Sequence, residues 1–304
     1  MARISIKSIN DRILDNAKEY IDECEQVYND RIREVADNIR RDHQSRPVIL
    51  LSGPSGAGKT TTALKIEALL DAEGLETHTL SMDNYFTPHD GKSEIDLEAP
   101  ARLDIELLQN HLVKIANCEE IEVPIFNFKT QNRDGFTPLK RKKNELVLIE
   151  GIHALNPDVT GYGADFTQRI YVCPTTGIST GRDLVLHTAQ IRLLRRLTRD
   201  HLFRGRSFDD TLFRFSDVER GTNLYILPYK NRADFTIDTF LPYEICAYRQ
   251  YDLELLGEID SSSKNKPHAK ELYDILSMAA PVSEDLIPAG SLVREFIGKS
   301  SFNY

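Results

Sequence analysis

The sequence lacks the features of a membrane protein and of a metal-thiolate protein. Its four cysteines lie far apart, form no CxxC pair and have no histidine at metal-ligand spacing, so we expect no zinc site. No run approaches the roughly 18 apolar residues that span a bilayer. The polar start MARISIKSINDR also has no signal-peptide apolar region. These absences predict a soluble, cytoplasmic protein with reduced thiols and no membrane partner.

Positive charge is also in short supply. The chain has 38 Lys and Arg against 47 Asp and Glu, a formal net charge of −9, and no basic stripe interleaved with aromatic residues. Such a field repels nucleic acid, so we expect no nucleic-acid partner and exclude a helicase or nucleic-acid motor. An anionic ligand must therefore be held by a local site. With 304 residues, 40% of them hydrophobic, the chain can form one sizeable α/β core with appendages.

The order of apolar runs predicts a parallel sheet flanked by helices. Residues 8–42 carry apolar side chains at three- and four-residue spacing, which indicates one or two amphipathic helices. From residue 46, RPVILLSGPSGAGKTTTALKIEALLDAEG reads as strand, glycine-rich turn and helix. Two further strands, ETHTLSMD and ELVLIEGI, end at Asp83 and Glu150. In such sheets the ligand crevice lies outside the carboxyl ends of the strands, so we expect these features to converge there.

We divide the chain into three parts. They are an N-terminal helical extension (1–45), a core (46–245) and a C-terminal extension (246–304). The two extensions either pack as helices on the core, form a contact in a homo-oligomer, or regulate the core.

The strongest motif is GPSGAGKT at residues 53–60, which fits GxxxxGK[ST] in the required strand–loop–helix context. Its glycines let backbone N–H groups turn toward phosphate oxygens, Lys59 reaches the terminal phosphates, and the Thr60 hydroxyl binds Mg²⁺. The motif predicts ATP and Mg²⁺ as cofactors. The predicted nucleotide-binding residues of the loop are Gly53, Pro54, Ser55, Gly56, Ala57, Gly58, Lys59, Thr60 and Thr61.

Two carboxylates suit phosphoryl transfer beside this loop. Mg²⁺ prefers hard oxygen ligands, and Glu150 at the end of LVLIE is the better-placed carboxylate for it, with Thr60. Asp83 in SMDNYF can accept the proton of an attacking hydroxyl, with metal contact as a second role. Either carboxylate could instead be a helix cap.

Arginines cluster in QIRLLRRLTRDHLFRGRS, residues 190–207, which contains six of them in an otherwise acidic protein. Planar guanidinium groups stabilise the charge on a transferring phosphoryl group through two-point contacts. We therefore predict a mobile arginine-rich lid near residues 190–207. The alternative is a solvated helical face that pairs with Asp and Glu.

GPSGAGKTT, SMDNYF, LIEGIHAL and RRLTRDHLFRGRS, in this order, resemble the motifs of the uridine kinase and phosphoribulokinase family over residues 46–240. The resemblance implies a P-loop NTPase fold, an arginine lid and transfer of the ATP γ-phosphate to a hydroxyl, with Asp83 and Lys59 catalytic and Thr60, Asp83 and Glu150 near the metal. The lid positions it implies are Arg195, Arg196, Arg199, Arg204 and Arg206, of which Arg199 and Arg204 are the expected catalytic phosphate contacts. Nucleotide binding is predicted for Arg195, Arg196, Arg199 and Arg206.

The acceptor motifs depart from the family pattern. Uridine and cytidine kinases carry FDHPxAxD, whereas this chain has LEAPARLD, with Glu98 in place of the aspartate that grips the ribose hydroxyls. Their PxYDFxxHxR is PIFNFKTQNR here, so that Phe126 replaces a tyrosine and Gln131 a histidine. The predicted acceptor-binding residues are Asp83, Tyr85, Glu98, Phe126, Gln131 and Arg133.

These differences leave the acceptor open. We expect a nucleoside 5′-hydroxyl of the uridine or cytidine type, in an enzyme that transfers phosphate to an alcohol group. The alternatives are another nucleoside, ribulose phosphate, a pantothenate-like alcohol, or a non-catalytic nucleotide-sensing protein with no acceptor.

Overall fold

The computed structural model describes residues 2–89, 96–162, 165–181 and 183–303. Within those residues the strands, numbered in chain order, are β1 (Ala2–Ser5), β2 (Val48–Ser52), β3 (Thr77–Ser81), β4 (Glu120–Asn127), β5 (Asn132–Lys140), β6 (Leu146–Glu150), β7 (Thr167–Cys173), β8 (Thr176–Thr180), β9 (Asp183–Leu186) and β10 (Phe235–Asp238). The helices are α1 (Ile6–Asp42), α2 (Lys59–Ala72), α3 (Ile105–Ala116), α4 (Pro157–Thr160), α5 (Thr188–Arg204), α6 (Phe208–Gly221), α7 (Glu244–Gly257), α8 (Lys266–Ser277) and α9 (Arg294–Ile297). Short 3-10 turns occupy Met82–Tyr85, Pro100–Arg102, Leu227–Arg232 and Glu284–Leu286, and a π-helical turn spans Thr222–Ile226.

The central sheet has five parallel strands in the order β10–β7–β2–β6–β3. Its inner strands, VILLS of β2 and LVLI of β6, are buried at every residue, as expected when helices cover both faces of a parallel sheet. This confirms the predicted α/β class. Two smaller sheets accompany it: β8 pairs with β1 and β9, and β4 with β5 forms an antiparallel hairpin.

Strand register brings three loops to one edge of the central sheet. Leu51 of β2 and Ser81 of β3 both lie opposite Glu150, the last residue of β6. The glycine-rich loop, Glu150 and the turn that contains Asp83 therefore leave the sheet side by side. Strand β3 ends at Ser81, two residues earlier than predicted. The Ser81 hydroxyl there accepts a hydrogen bond from the Asp83 N–H at 3.3 Å and starts the 3-10 turn.

The alternation of side chains along β2 divides the core into two layers. Ile49 and Leu51 belong to a large apolar cluster on one face, whereas Val48 and Leu50 belong to a smaller cluster on the other. Both faces of β2 are therefore shielded from solvent. A strand buried in this way holds the loop that follows it in a fixed position.

The two ends of the chain share the larger cluster. It includes Ile21 of α1, Ile49 of β2 and Leu292 near the C-terminus. The predicted one or two N-terminal helices form a single span, α1, with non-helical backbone angles at Asn16. Packing on the core, the first of the roles considered for the two extensions, is thus what the structure shows.

No helix in the described ranges is both long and apolar enough to cross a bilayer. All four cysteines are free thiols, and Cys24 and Cys246 are buried.

Candidate active site

The glycine-rich loop between β2 and α2 has backbone geometry that other residues would disturb. Gly56 and Gly58 have φ angles of +77° and +83°, in the left-handed region that favours glycine. A Cβ on Gly53 would lie 2.1 Å from the carbonyl oxygen of Val172 in β7. The loop therefore needs glycine for close approach at one position and for conformation at two others.

Three arginines of α5 hold this loop from outside. Arg192 donates to the Ser55 carbonyl oxygen at 3.1 Å, Arg195 donates to the Gly56 carbonyl oxygen at 3.1 Å, and Arg196 donates to the Ser55 hydroxyl. Because carbonyl oxygens meet the guanidinium groups, the loop is fixed without using the N–H groups that the motif needs for phosphate. The predicted lid segment is, in this structure, a packed helix.

Arg195 is the most deeply buried of these arginines, and it forms an ion pair with Glu244 of α7. Its Nε and Nη2 atoms donate to the two carboxylate oxygens at 2.7 and 2.9 Å, and Nη2 also donates to the Thr239 carbonyl oxygen. Burial alone would lower the pKa of Arg195, but Glu244 raises it above its usual value. This predicted nucleotide-binding residue is therefore directed into the protein, where it supports the loop.

The predicted carboxylates lie beside Lys59 at the carboxyl edge of the sheet. Lys59 Nζ donates to the Pro54 carbonyl oxygen at 3.4 Å, and the Ser81 hydroxyl donates to Glu150 at 3.2 Å. Burial raises the pKa of Glu150 to about 7, although the charge of Lys59 opposes the shift. Burial also raises the pKa of Asp83, again opposed by Lys59. Two half-buried acids thus share one nearby lysine.

Four of the predicted lid arginines, Arg196 among them, surround Asp200, which is fully buried. Arg199 and Arg204 approach its Oδ1 at 2.8 and 3.3 Å, and Arg196 and Arg206 approach its Oδ2 at 3.6 Å each. Burial disfavours the charged form of Asp200, but the arginines outweigh it and hold its pKa below the usual range. One carboxylate therefore collects the guanidinium groups, and the charges of Arg204 and Arg196 still act on Asp83 and Glu98.

The acceptor motif on the β4–β5 hairpin forms an aromatic cluster. The Phe126 ring is buried and meets the Phe86 and Phe128 rings edge to face, at centroid distances of 5.6 and 5.3 Å. Gln131 donates its amide to the Phe128 carbonyl oxygen at 2.8 Å and accepts from Arg102 at 3.3 Å. Both predicted acceptor-reading side chains are thus engaged within the protein.

Tyr85 and Arg133 lie next to this cluster and are hydrogen-bonded to each other. The Tyr85 ring is buried and its hydroxyl is 2.9 Å from Nδ1 of His111. Arg133 donates to the Asp104 carboxylate at 3.0 Å and to the Tyr85 carbonyl oxygen at 3.2 Å. The structure thus brings these predicted residues together and gives each an internal partner.

The comparisons with known proteins agree with this geometry. The family model described as "Phosphoribulokinase / Uridine kinase family" matches residues 48–244. The chain belongs to this family. It is therefore a small-molecule kinase, and the family implies ATP as its phosphate donor.

Among individual relatives, the kinase is 32% identical over 196 residues to the uridine kinase of Staphylococcus aureus strain JH9, covering 62% of this chain and 86% of that one. Among solved structures it is similar to a possible uridine kinase from Bacillus stearothermophilus (TM-score 0.48, 17% identity, 69% and 98% of the two chains). It is also similar to D-glycerate 3-kinase from Cryptococcus neoformans (TM-score 0.47, 15% identity, 66% and 89%).

Near Asp83 and Lys59 the kinase also holds two polar atoms that have no hydrogen-bond partner among the described residues. They are Oε2 of Glu98 and Nδ1 of His153, both buried. A Cβ on Gly221 would lie 2.2 Å from the Glu98 Cβ, so α6 packs tightly on this residue. Burial lowers the pKa of His153 to about 4, so its imidazole is neutral. Glu98 was predicted for the acceptor. His153 was not, although its place in LIEGIHAL, three residues after Glu150, could have indicated it.

The donor set fits a magnesium ion. Thr60 is half-buried at the start of α2, and Asp83 and Glu150 offer carboxylate oxygens at the same edge. Hard oxygen ligands of this kind suit Mg²⁺. Burial raises the pKa of Glu150, so the positive charge of Lys59 alone does not offset the cost of desolvating the two carboxylates. A second cation bound beside them would offset it.

One residue that contacts the loop was not predicted from the sequence. Glu295 of α9 accepts hydrogen bonds from the N–H and hydroxyl of Thr61, a predicted nucleotide contact. Nothing in the local sequence around Glu295 indicates this, because the two residues are 234 positions apart.

Proposed function

We propose that the kinase transfers the γ-phosphate of ATP·Mg²⁺ to the 5′-hydroxyl of a nucleoside, of the uridine or cytidine type. The observation that carries the proposal is the meeting of the glycine-rich loop, Lys59 and the half-buried acids Asp83 and Glu150 at one edge of the sheet. The nucleoside assignment draws support from the similarity to the S. aureus uridine kinase, which extends over 86% of that protein.

In this proposal Asp83 accepts the proton of the attacking hydroxyl. A carboxylate with a raised pKa is a stronger base than one in water. Burial raises the pKa of Asp83, and the charges of Lys59 and Arg204 oppose that shift. Thr60 and Glu150 would hold Mg²⁺, which neutralises charge on the phosphates. Lys59 would bind the terminal phosphates, while Arg199 and Arg204 would stabilise charge on the transferring group.

Glu98 supports a polyhydroxyl acceptor. Its unpartnered carboxylate oxygen can accept from a sugar hydroxyl, and it occupies the position of the family's ribose-gripping aspartate in LEAPARLD. A carboxylate accepts two hydroxyl donors readily, as the neighbouring hydroxyls of a ribose would supply. A ribose therefore fits the chemistry of this position.

The aromatic hairpin favours a second candidate, a kinase for a hydroxyl acceptor without a pyrimidine base. Phe126 packs on Phe86 and Phe128, and the amide of Gln131 is bonded to Phe128 and Arg102. Side chains with internal partners contribute less to base recognition. A sugar phosphate or a pantothenate-like alcohol would need no such contacts.

An acceptor panel tests both candidates. ADP release from ATP·Mg²⁺ is followed with uridine, cytidine, adenosine, ribulose 5-phosphate, pantothenate and D-glycerate, and without any acceptor. We expect uridine or cytidine to accelerate it most, and 5′-deoxyuridine, which lacks only the reacting hydroxyl, to have no effect. Stimulation by a non-nucleoside alone would favour the second candidate. ADP release that no acceptor stimulates would refute both and favour a nucleotide-sensing protein.

A further inference from the structure

Residues 291–297, here called the tail segment, pack against the glycine-rich loop. A Cβ on Gly58 would lie 2.4 Å from Cδ1 of Leu292, so the backbone of the loop and the tail segment are in direct contact. Ser291 Oγ lies 2.8 Å from the Tyr243 hydroxyl, and the Phe296 ring lies below the Arg195 guanidinium at 5.4 Å. These three tail residues are fully buried, so the segment is anchored beside the loop.

Glu295 is the tail residue that reaches the site. Its Oε2 accepts from the Thr61 hydroxyl at 2.5 Å and from the Thr61 N–H at 3.3 Å. Arg294 and Phe296, which flank it in the chain, are buried, whereas Glu295 itself is only half-buried. Its side chain can therefore rotate toward solvent while the rest of the tail segment stays in place.

The Thr61 N–H is a strong position for an anion. Thr61 is the third residue of α2, and the first four N–H groups of a helix have no partner within the helix. The positive end of the helix dipole points the same way, which is why phosphates bind at such termini. Glu295 supplies an anion to this terminus when no nucleotide is present.

The charge of Glu295 also reaches the interior of the site. Burial is the main cause of the raised pKa of Glu150, and the negative charges of Asp83 and Glu295 add to it. A nucleotide phosphate would thus meet a carboxylate of like charge that already holds one of its hydrogen-bond donors.

We propose that Glu295 occupies the position of a nucleotide phosphate at Thr61 and must turn away before the nucleotide binds, so that it lowers the affinity of the kinase for nucleotide. This inference rests on the proposed nucleotide site at residues 53–61. The tail segment thus competes with the nucleotide through Glu295, besides packing against the loop.

The test compares Glu295→Gln with the wild-type full chain by titration calorimetry. The probes are ADP·Mg²⁺, pyrophosphate·Mg²⁺ and adenosine. Because a hydrogen bond to a charged group is lost or weakened, we expect roughly tenfold tighter binding of ADP and pyrophosphate, with adenosine unchanged. Asp285→Asn is the matched control, since it removes the same charge from an exposed neighbouring position and should leave all three affinities unchanged.

The outcomes separate this inference from the proposed function. Equal or weaker binding of ADP by Glu295→Gln would overturn the competition, as would an equal gain for adenosine, which carries no phosphate. Wild type and variant both failing to bind ADP and pyrophosphate would overturn the nucleotide site itself. Thermal unfolding verifies that the variant is folded, and Glu295→Ala gives a second measurement with the same expected direction.

Discussion

Replacing Asp83 by asparagine is the most direct test of the proposed chemistry. Asparagine keeps the shape of the side chain and removes only its charge and its basicity. Asp83 is half-buried, and its N–H bond to the Ser81 hydroxyl does not involve the carboxylate. The turn that carries the residue should therefore keep its conformation in Asp83→Asn.

The expected loss of turnover in Asp83→Asn follows from the proposed role of Asp83 as the general base. Loss of a positioned general base lowers turnover by about 10²–10⁴-fold, or about 3–5 kcal/mol of barrier. The affinity for ATP should stay within a few-fold, because the carboxylate is assigned to the acceptor side. The fold should not suffer, since burial already raises the pKa of Asp83 and thus disfavours its charged form.

The assay measures ADP release at saturating acceptor, with nucleotide affinity measured separately by calorimetry. Asp274→Asn on α8 serves as the control, because this aspartate is exposed and only pairs with Lys270 at the surface. Turnover of Asp83→Asn within a few-fold of wild type would refute the role of Asp83 as the base. A parallel loss of ATP affinity would instead place the carboxylate on the metal and nucleotide.

Three further predictions concern the loop and the core. Gly53→Ala, whose Cβ would lie 2.1 Å from the Val172 carbonyl oxygen, should cost about 1–3 kcal/mol and weaken nucleotide binding, as measured by urea unfolding and calorimetry. Glu244→Ala leaves Arg195 buried without its partner and should cost about 3–5 kcal/mol in urea unfolding. A hydrogen bond from Tyr251 is the main cause that lowers the pKa of Glu284 to about 2. The ionised Glu284 therefore stabilises the folded protein above pH 4.5, the usual pKa of the group, and this stabilisation is lost as the pH falls toward 2. Glu284→Gln should flatten the loss of unfolding midpoint over that pH range.

The phosphate loop could be predicted because its determinants are local. Gly53, Lys59 and Thr60 follow one another between a buried strand and a helix, and the backbone geometry of such a turn depends on the glycines themselves. Glu150 was equally accessible, since it ends an apolar run whose register sets its position. Sequence motifs and strand ends of this kind carry their structural context with them.

The role of Arg195 could not be read in the same way. Its sequence neighbours are arginines, which suggested one shared role in a lid, but its partner Glu244 lies 49 positions away on α7. Helical spacing decides which arginine faces the core, and the identity of the facing element depends on the tertiary fold. A cluster in sequence thus became two groups in space, one bound to the loop and one gathered around Asp200, with Arg196 belonging to both.

The position of Gln131 in the acceptor motif also could not be interpreted from the sequence alone. Gln131 occupies the position of a histidine that reads the base in related kinases, and the motif alone predicts a substrate contact. In the hairpin its backbone has a φ of +56° and its amide is bonded to Phe128. Whether a side chain faces substrate depends on the strand register and on the residues opposite it, which a one-residue substitution does not reveal.

Charge balance connects these observations to the tail segment. The site contains Lys59 and the N-terminus of α2, and against them it holds Asp83 and Glu150. Negative charge at the helix terminus is favourable before nucleotide arrives, and Glu295 provides it from a segment that is anchored both to the loop and to Tyr243. The same charge becomes unfavourable once phosphates approach, so each nucleotide must displace it. A kinase built this way couples nucleotide affinity to the position of a C-terminal side chain, and a single charge-neutral substitution there should reveal that coupling.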